Sequence, residues 1–153
     1  MSQPTSSVRT AVRDAVMQTL DRRRRQDGVR VPEYDVRPIW ATLEECERFP
    51  TYCVLVTDEQ AGERSQRDVE SLLTVKLVVY AKDEKDPRRV LDAALEDVHE
   101  ALLSVRNQLI EQAIAWNLAW IETTADEGTS VAHPHAQAMV RWHCQFHRAQ
   151  IGS

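Results

Sequence analysis

Leu72-Leu73-Thr74-Val75-Lys76-Leu77-Val78-Val79-Tyr80-Ala81 is the stretch on which the fold turns. Strand side chains alternate between two faces. Leu73, Val75, Leu77 and Val79 therefore point one way, and Thr74, Lys76, Val78 and Tyr80 the other. Asp86-Pro87 follows, an N-cap residue with proline at the first helical position. Leu91, Ala94, Leu95, Val98, Ala101, Leu102, Val105 and Leu109 then recur at three and four, giving a long amphipathic helix of about five turns. A strand followed by a helix with one apolar face predicts a sheet with that helix laid on it.

Working outward, Ile114 to Glu122 reads as a strand, Thr123 to Gly128 as an acidic turn, and Ala136 to His147 as the last strand. In that last strand Ala138, Val140, Trp142, Cys144 and Phe146 alternate with Gln137, Met139, Arg141, His143, Gln145 and His147. One side is core, and the other faces water or a partner. Upstream of the central strand, Tyr52 to Val56 is a continuous apolar run inside a strand from Thr51 to Thr57, as suits a strand covered on both faces. Asp58 to Glu70 has thirteen residues, seven of them charged, and reads as an exposed loop or the tip of a long hairpin.

At the start of the chain, Ser7 can cap a helix that buries Val8, Ala11, Val12, Ala15, Val16, Thr19 and Leu20, with Gly28 as its stop. Val31-Pro32 begins an extended connection, and Val36 to Leu43 is a weak strand that Pro38 confines to a sheet edge. The order is α-β-β-β-α-β-β. It predicts an α+β fold: one mixed, largely antiparallel sheet packed with two helices. The whole chain, residues 1–153, reads as one domain, with residues 1–6 and 149–153 expected to be flexible. A chain this long buries roughly 69% of its surface on folding and needs neither disulfide nor metal for its core.

Composition narrows the function. With 24 acidic against 19 basic residues the net charge is −5, the wrong sign for a broad phosphate-binding surface. Arg22 to Arg25 is the exception; it reads as a solvated helix end near the negative pole of the helix dipole, with a phosphate or protein contact as the alternative. No stretch reaches the roughly 18 apolar residues of a membrane span, and Met1 to Ser7 lacks the apolar core of a secretory signal. Cys46, Cys53 and Cys144 are odd in number and read as reduced thiols.

Catalytic and metal chemistry find little support. His133, His135, His143, Cys144 and His147 crowd into fifteen residues, but His143 and His147 sit on a strand with Cα atoms about 13 Å apart, too far to share an ion. His143 and Cys144 are strand neighbours and face opposite sides. Neither a Gly-x-Ser-x-Gly elbow nor a phosphate-cradling glycine loop is present. Glu44-Glu45 and Asp126-Glu127 read as solvated carboxylate pairs. We therefore expect no enzyme, no cofactor and no metal site.

The succession Glu63 to Glu70, Leu72 to Lys82, an acidic-proline break, the amphipathic helix, Ile114 to Glu122, the acidic turn and Ala136 to Phe146 resembles the tail terminator proteins of long-tailed bacteriophages, the minor tail protein U family. The likeness runs over residues 50 to 147, with the N-terminal helix also placed as in the family. It implies a structural virion protein of the tail-neck region, assembled in the host cytoplasm. Such proteins form a homohexameric ring that caps the tail tube, stops its growth and presents a surface to the head connector. The implied partners are further copies of the chain, the major tail tube protein and a head-tail connector protein, with DNA passing through the lumen unbound. Six copies at −5 each carry −30, and an acidic lumen repels phosphate. Glu59, Glu63, Asp68 and Glu70 are then lumen candidates, Arg64 and Arg67 can pair with a neighbouring subunit, and Arg141 and His143 are further interface candidates. A head-closure or tail-completion protein, and a small ligand-binding or regulatory module, are the alternatives.

Overall fold

The computed structural model describes residues 7–25, 34–64, 68–127 and 135–149. Along the chain these form α1 (Val8–Arg25), β1 (Asp35–Arg37), a 3-10 turn (Leu43–Glu45), β2 (Thr51–Arg64), β3 (Asp68–Lys82), α2 (Pro87–Glu111), β4 (Asn117–Glu127) and β5 (His135–Ala149). The five strands make one sheet in the order β1-β2-β3-β5-β4. Only the β1–β2 pair is parallel, so the sheet is mixed and largely antiparallel, as expected.

One face of the sheet carries both helices. Val12, Ala15, Val16 and Leu20 of α1 and Leu91, Ala94, Val98, Ala101, Leu102, Val105 and Leu109 of α2 close over Leu73, Val75, Leu77 and Val79. Val140, Trp142, Cys144 and Phe146 of β5 complete this core. The alternation read in β3 and β5 thus corresponds to the helix-packed side. Asp86 caps α2 as predicted, its side chain accepting a hydrogen bond from the Arg89 N–H at 3.1 Å. Leu95 departs from expectation: it is half-buried at the margin of the core.

Several boundaries differ from the sequence reading. β1 stops at Arg37, because Pro38 has no N–H to donate to a ladder, and it lies at a sheet edge. β2 continues through the charged segment to Arg64 and pairs with β3, with register shifts after Val56 and after Ala61, so of the two readings of this segment the long hairpin is the one that the described residues fit, residues 65–67 lying outside them. The expected acidic turn is strand as well: Thr123 to Glu127 pair with β5. β4 begins three residues late because the Ile114 and Ala115 N–H groups both donate to the Leu109 carbonyl, closing the end of α2. Ala113 occupies the left-handed region there, at φ 55°, a place where glycine is usual. At the far end Ala149 completes β5 and does not begin a tail. Gly28 and residues 1–6 and 150–153 lie outside the described residues.

Candidate interaction surface

The second face of the sheet has no helix on it. Outward from β3 come Leu72, Thr74, Lys76, Val78 and Tyr80, and from β5 Met139, Arg141, His143 and Gln145, paired in register as Val78 with Met139, Lys76 with Arg141, and Thr74 with His143. At one end the connection from β1 to β2 folds back over this face. Ala41 is buried there against Cys53, Val78 and Tyr80, with Leu43, Cys46 and Phe49 around them. The connection is pinned by the indole N–H of Trp40, which donates to the Tyr80 hydroxyl at 3.2 Å. A capping box at Thr42 also holds it, the Thr42 hydroxyl donating to Glu45 Oε1 at 2.9 Å. That bond, seconded by the Thr42 backbone N–H, keeps the Glu45 carboxyl below the ordinary carboxylate range.

Beyond this cover lies an open trough of about 580 Å³, bordered by Trp40, Leu55, Lys76, Val78, Tyr80 and Met139 among others. Its lining is mostly apolar. Lys76 is the cation among these residues, and its cross-strand neighbour Arg141 carries the same charge. Arg141 is offset by Glu122 of β4 at 3.4 Å. Among the described residues no carboxylate pairs with Lys76.

The candidates from the sequence do not form a single cluster. Glu59 lies on the helix-packed side, where Arg148 grips it through two hydrogen bonds of 2.8 and 2.9 Å and Arg9 of α1 approaches to 3.7 Å. Glu70 lies on the open side, opposite His147 in register. The two carboxylates therefore line different surfaces. Glu63 and Glu70 border a hollow of about 410 Å³ at the hairpin end, next to Gly62, where an added Cβ would stand 3.2 Å from the Glu70 carbonyl oxygen. Arg64 and Asp68 are exposed at the ends of their strands. Arg67 lies outside the described residues. Arg141 and His143 do share a surface, the open face.

Sequence reasoning missed the exposed apolar residues. Ile39 and Trp40 are 60% and 61% exposed at one flank of the sheet, and Trp120 and Ile121 are 49% and 39% exposed on β4 at the opposite flank. A break in register between Trp120 and Glu122 leaves Ile121 unpaired in a bulge, and bulges re-aim side chains at sheet edges. The signal in the sequence was slight: an Ile-Trp pair directly after a proline, and a Trp-Ile pair directly before a Glu.

The thiols behave as small hydrophobes. Cys53 and Cys144 are buried, and burial raises the pKa of both, pushing Cys144 up to about 12. Cys144 sits in the core while His143 faces outward, so the two cannot work as a pair. Among the described residues no three His, Cys, Asp or Glu side chains gather as a metal site; His133 lies outside them. Of the arginine run, Arg23 pairs with Glu100 of α2, and Arg22 donates to the Gln18 carbonyl at 3.4 Å. No described helix is long and apolar enough to cross a membrane.

No protein-family model and no curated protein matches this sequence. A solved structure does: a chain of the "Virion of native gene transfer agent (GTA) particle" superposes with a TM-score of 0.55. The likeness is one of fold. It spans 94% of this chain and 100% of that one at 12% sequence identity, so the two share the helix-and-sheet arrangement end to end with little of the sequence.

Proposed function

We propose that this protein is a structural virion component, a tail terminator that works as a homohexameric ring on the end of a tail tube. In this reading the ring stops tube polymerisation and offers its far side to a head-tail connector protein, while DNA passes through without specific binding. The protein performs no catalysis and holds no cofactor. It belongs to the tail-neck region of the virion and assembles in the host cytoplasm. The observation that carries the reading is the superposition on a virion chain over that chain's whole length. It is supported by the sequence resemblance to tail terminators and by a half-open sheet with apolar residues at both flanks.

Two measurements test it. Native mass spectrometry of the purified protein should find six copies per particle, and negative-stain images should show rings. Deleting the gene from the producing genome should give tubes of uncontrolled length that never join heads. Tails of normal length in that deletion would overturn the terminator reading. Tails of normal length left unjoined to heads would point to a head-closure protein.

A further inference from the structure

We propose that the outer edge of β4 is a docking site for a strand of another protein, an extended segment with lysine or arginine at alternate positions. The inference goes beyond the ring reading and does not depend on it. It starts from the two edges of the sheet, which differ in how they are closed. On one side β1 pairs with Thr51 to Cys53 of β2, and past it Arg9 of α1 donates to the Val56 and Thr57 carbonyls. A short strand and a side chain thus stop that edge. At the other side β4 runs from Asn117 to Glu127 with β5 as its neighbour. Among the described residues no backbone group outside β5 bonds to this strand.

Beyond the bulge at Ile121, Glu122 to Glu127 pair with Arg141 to Ala136 without a break. Ile121 to Ala125 are exposed, and the strand contains neither proline nor lysine, two devices that keep edges from pairing. Half of its N–H and C=O groups point away from β5, a template for one more strand. From Glu122 to Glu127 that template is about 20 Å long, the length of an ordinary strand. Charge selects the occupant. β4 contains Glu122, Asp126 and Glu127 and no basic residue. Glu122 is shared with Arg141 at 3.4 Å, and even so the strand stays acidic. A second copy fits badly. Two β4 edges set side by side bring carboxylates against carboxylates. The β2 edge offers Asp58, Glu59 and Glu63 against Arg64, and Arg9 would have to leave its two carbonyls. Like charges opposite one another weaken a strand pair, and opposite charges strengthen it. A basic strand from a different protein gains ladder bonds and charge pairs together.

The test uses the full-length chain and a synthetic probe, acetyl-Lys-Val-Lys-Val-Lys-Val-amide, followed by NMR and amide hydrogen exchange. On binding, amides at alternate positions from Glu122 to Glu127 should gain protection, while those elsewhere in the sheet keep theirs. The same peptide with glutamate for lysine should bind roughly tenfold more weakly, the combined effect of two or three opposed charge pairs. So should the basic peptide with its backbone nitrogens methylated, which keeps the charge and cannot donate to a ladder. Asp126→Lys with Glu127→Lys should reverse the preference between the basic and acidic probes, with a melting curve to check folding. If that variant misfolds, Asp126→Asn with Glu127→Gln replaces it and should weaken the basic probe. Equal binding of the two probes overturns the charge selection, and undiminished binding of the methylated peptide overturns the strand pairing. Protection gained away from β4, or no binding at about 1 mM probe, overturns the site itself. Edge amides that gain protection in the protein alone as its concentration rises would assign this edge to a second copy and overturn the proposal.

Discussion

Glu59 and Arg148 are 89 residues apart in sequence and meet through two hydrogen bonds of 2.8 and 2.9 Å. The pair fastens the β2–β3 hairpin to the end of β5, and Arg9 adds α1 to the junction by approaching Glu59 while donating to the Val56 and Thr57 carbonyls. Arg148 also lies over the Phe146 ring, 5.1 Å from its centre. Because the arginines are nearly half exposed, solvent screens the pair. A double-mutant cycle of Glu59→Gln and Arg148→Gln should give a coupling of about 0.5–1 kcal/mol in chemical denaturation. A coupling indistinguishable from zero would show that the junction is not held in solution.

The helix-two face gives a graded prediction. Leu91 is fully buried, and Leu91→Ala should cost about 2–5 kcal/mol. Leu95→Ala should cost clearly less, since that side chain keeps part of its contact with water in the folded state. Equal losses at the two positions would mean that α2 is rotated relative to the sheet.

At the end of α2, Ala113 adopts φ 55° while its own N–H donates to the Ile110 carbonyl and that of Ile114 to the Leu109 carbonyl. This is a Schellman arrangement with alanine at the position glycine favours. Ala113→Gly removes the Cβ strain at an exposed site and should stabilise the protein by about 0.5–1 kcal/mol. A destabilising effect in thermal or chemical unfolding would contradict the left-handed assignment.

Cys144 supplies a pH prediction. Burial pushes its thiol from 9.0 to about 12, so the folded chain keeps a proton that the unfolded chain releases. The contribution is complete below about pH 9 and is lost as pH rises toward 12. Cys144→Ala should therefore show a shallower fall in melting temperature through that window than the parent does. Thiol labelling should follow the same order of burial: half-buried Cys46 first, with Cys53 and Cys144 reacting only as the protein opens.

What could be read from sequence follows from where a pattern and its burial coincide. β3, α2 and β5 were legible because Leu73 to Val79, Leu91 to Leu109 and Ala138 to Phe146 bury one face at a single period. The ends of β2 and β4 were not, because Asp58 to Arg64 and Thr123 to Glu127 are polar on both sides. Pairing with β3 and β5 holds them extended, as in Glu59 opposite Leu73 and Thr124 opposite Met139. The end of α2 was hidden for a related reason, since Ala113 carries no glycine signal. The interaction surface was least legible. Trp40 and Ile121 are apolar residues whose exposure no periodicity announces, Ile121 standing in a bulge on an edge strand and Trp40 beside Tyr80 at the rim of the trough.

The last prediction concerns the hairpin end. Gly62, Glu63 and Arg64 close β2 as exposed residues, and Glu63 borders the hollow shared with Glu70. Few apolar contacts depend on them, so removing Gly62 to Arg67 should lower the melting temperature only slightly. If this end meets the tail tube or a neighbouring subunit, the deletion should instead yield abnormally long tails, or tails unjoined to heads. Charge reversal at Glu63→Lys with Arg64→Glu keeps the hairpin its full length and should weaken joining in the same direction. Tail-length distributions from electron micrographs decide between a contact and a merely solvated tip. Normal-length, head-joined tails from both variants would assign the hairpin end to solvent.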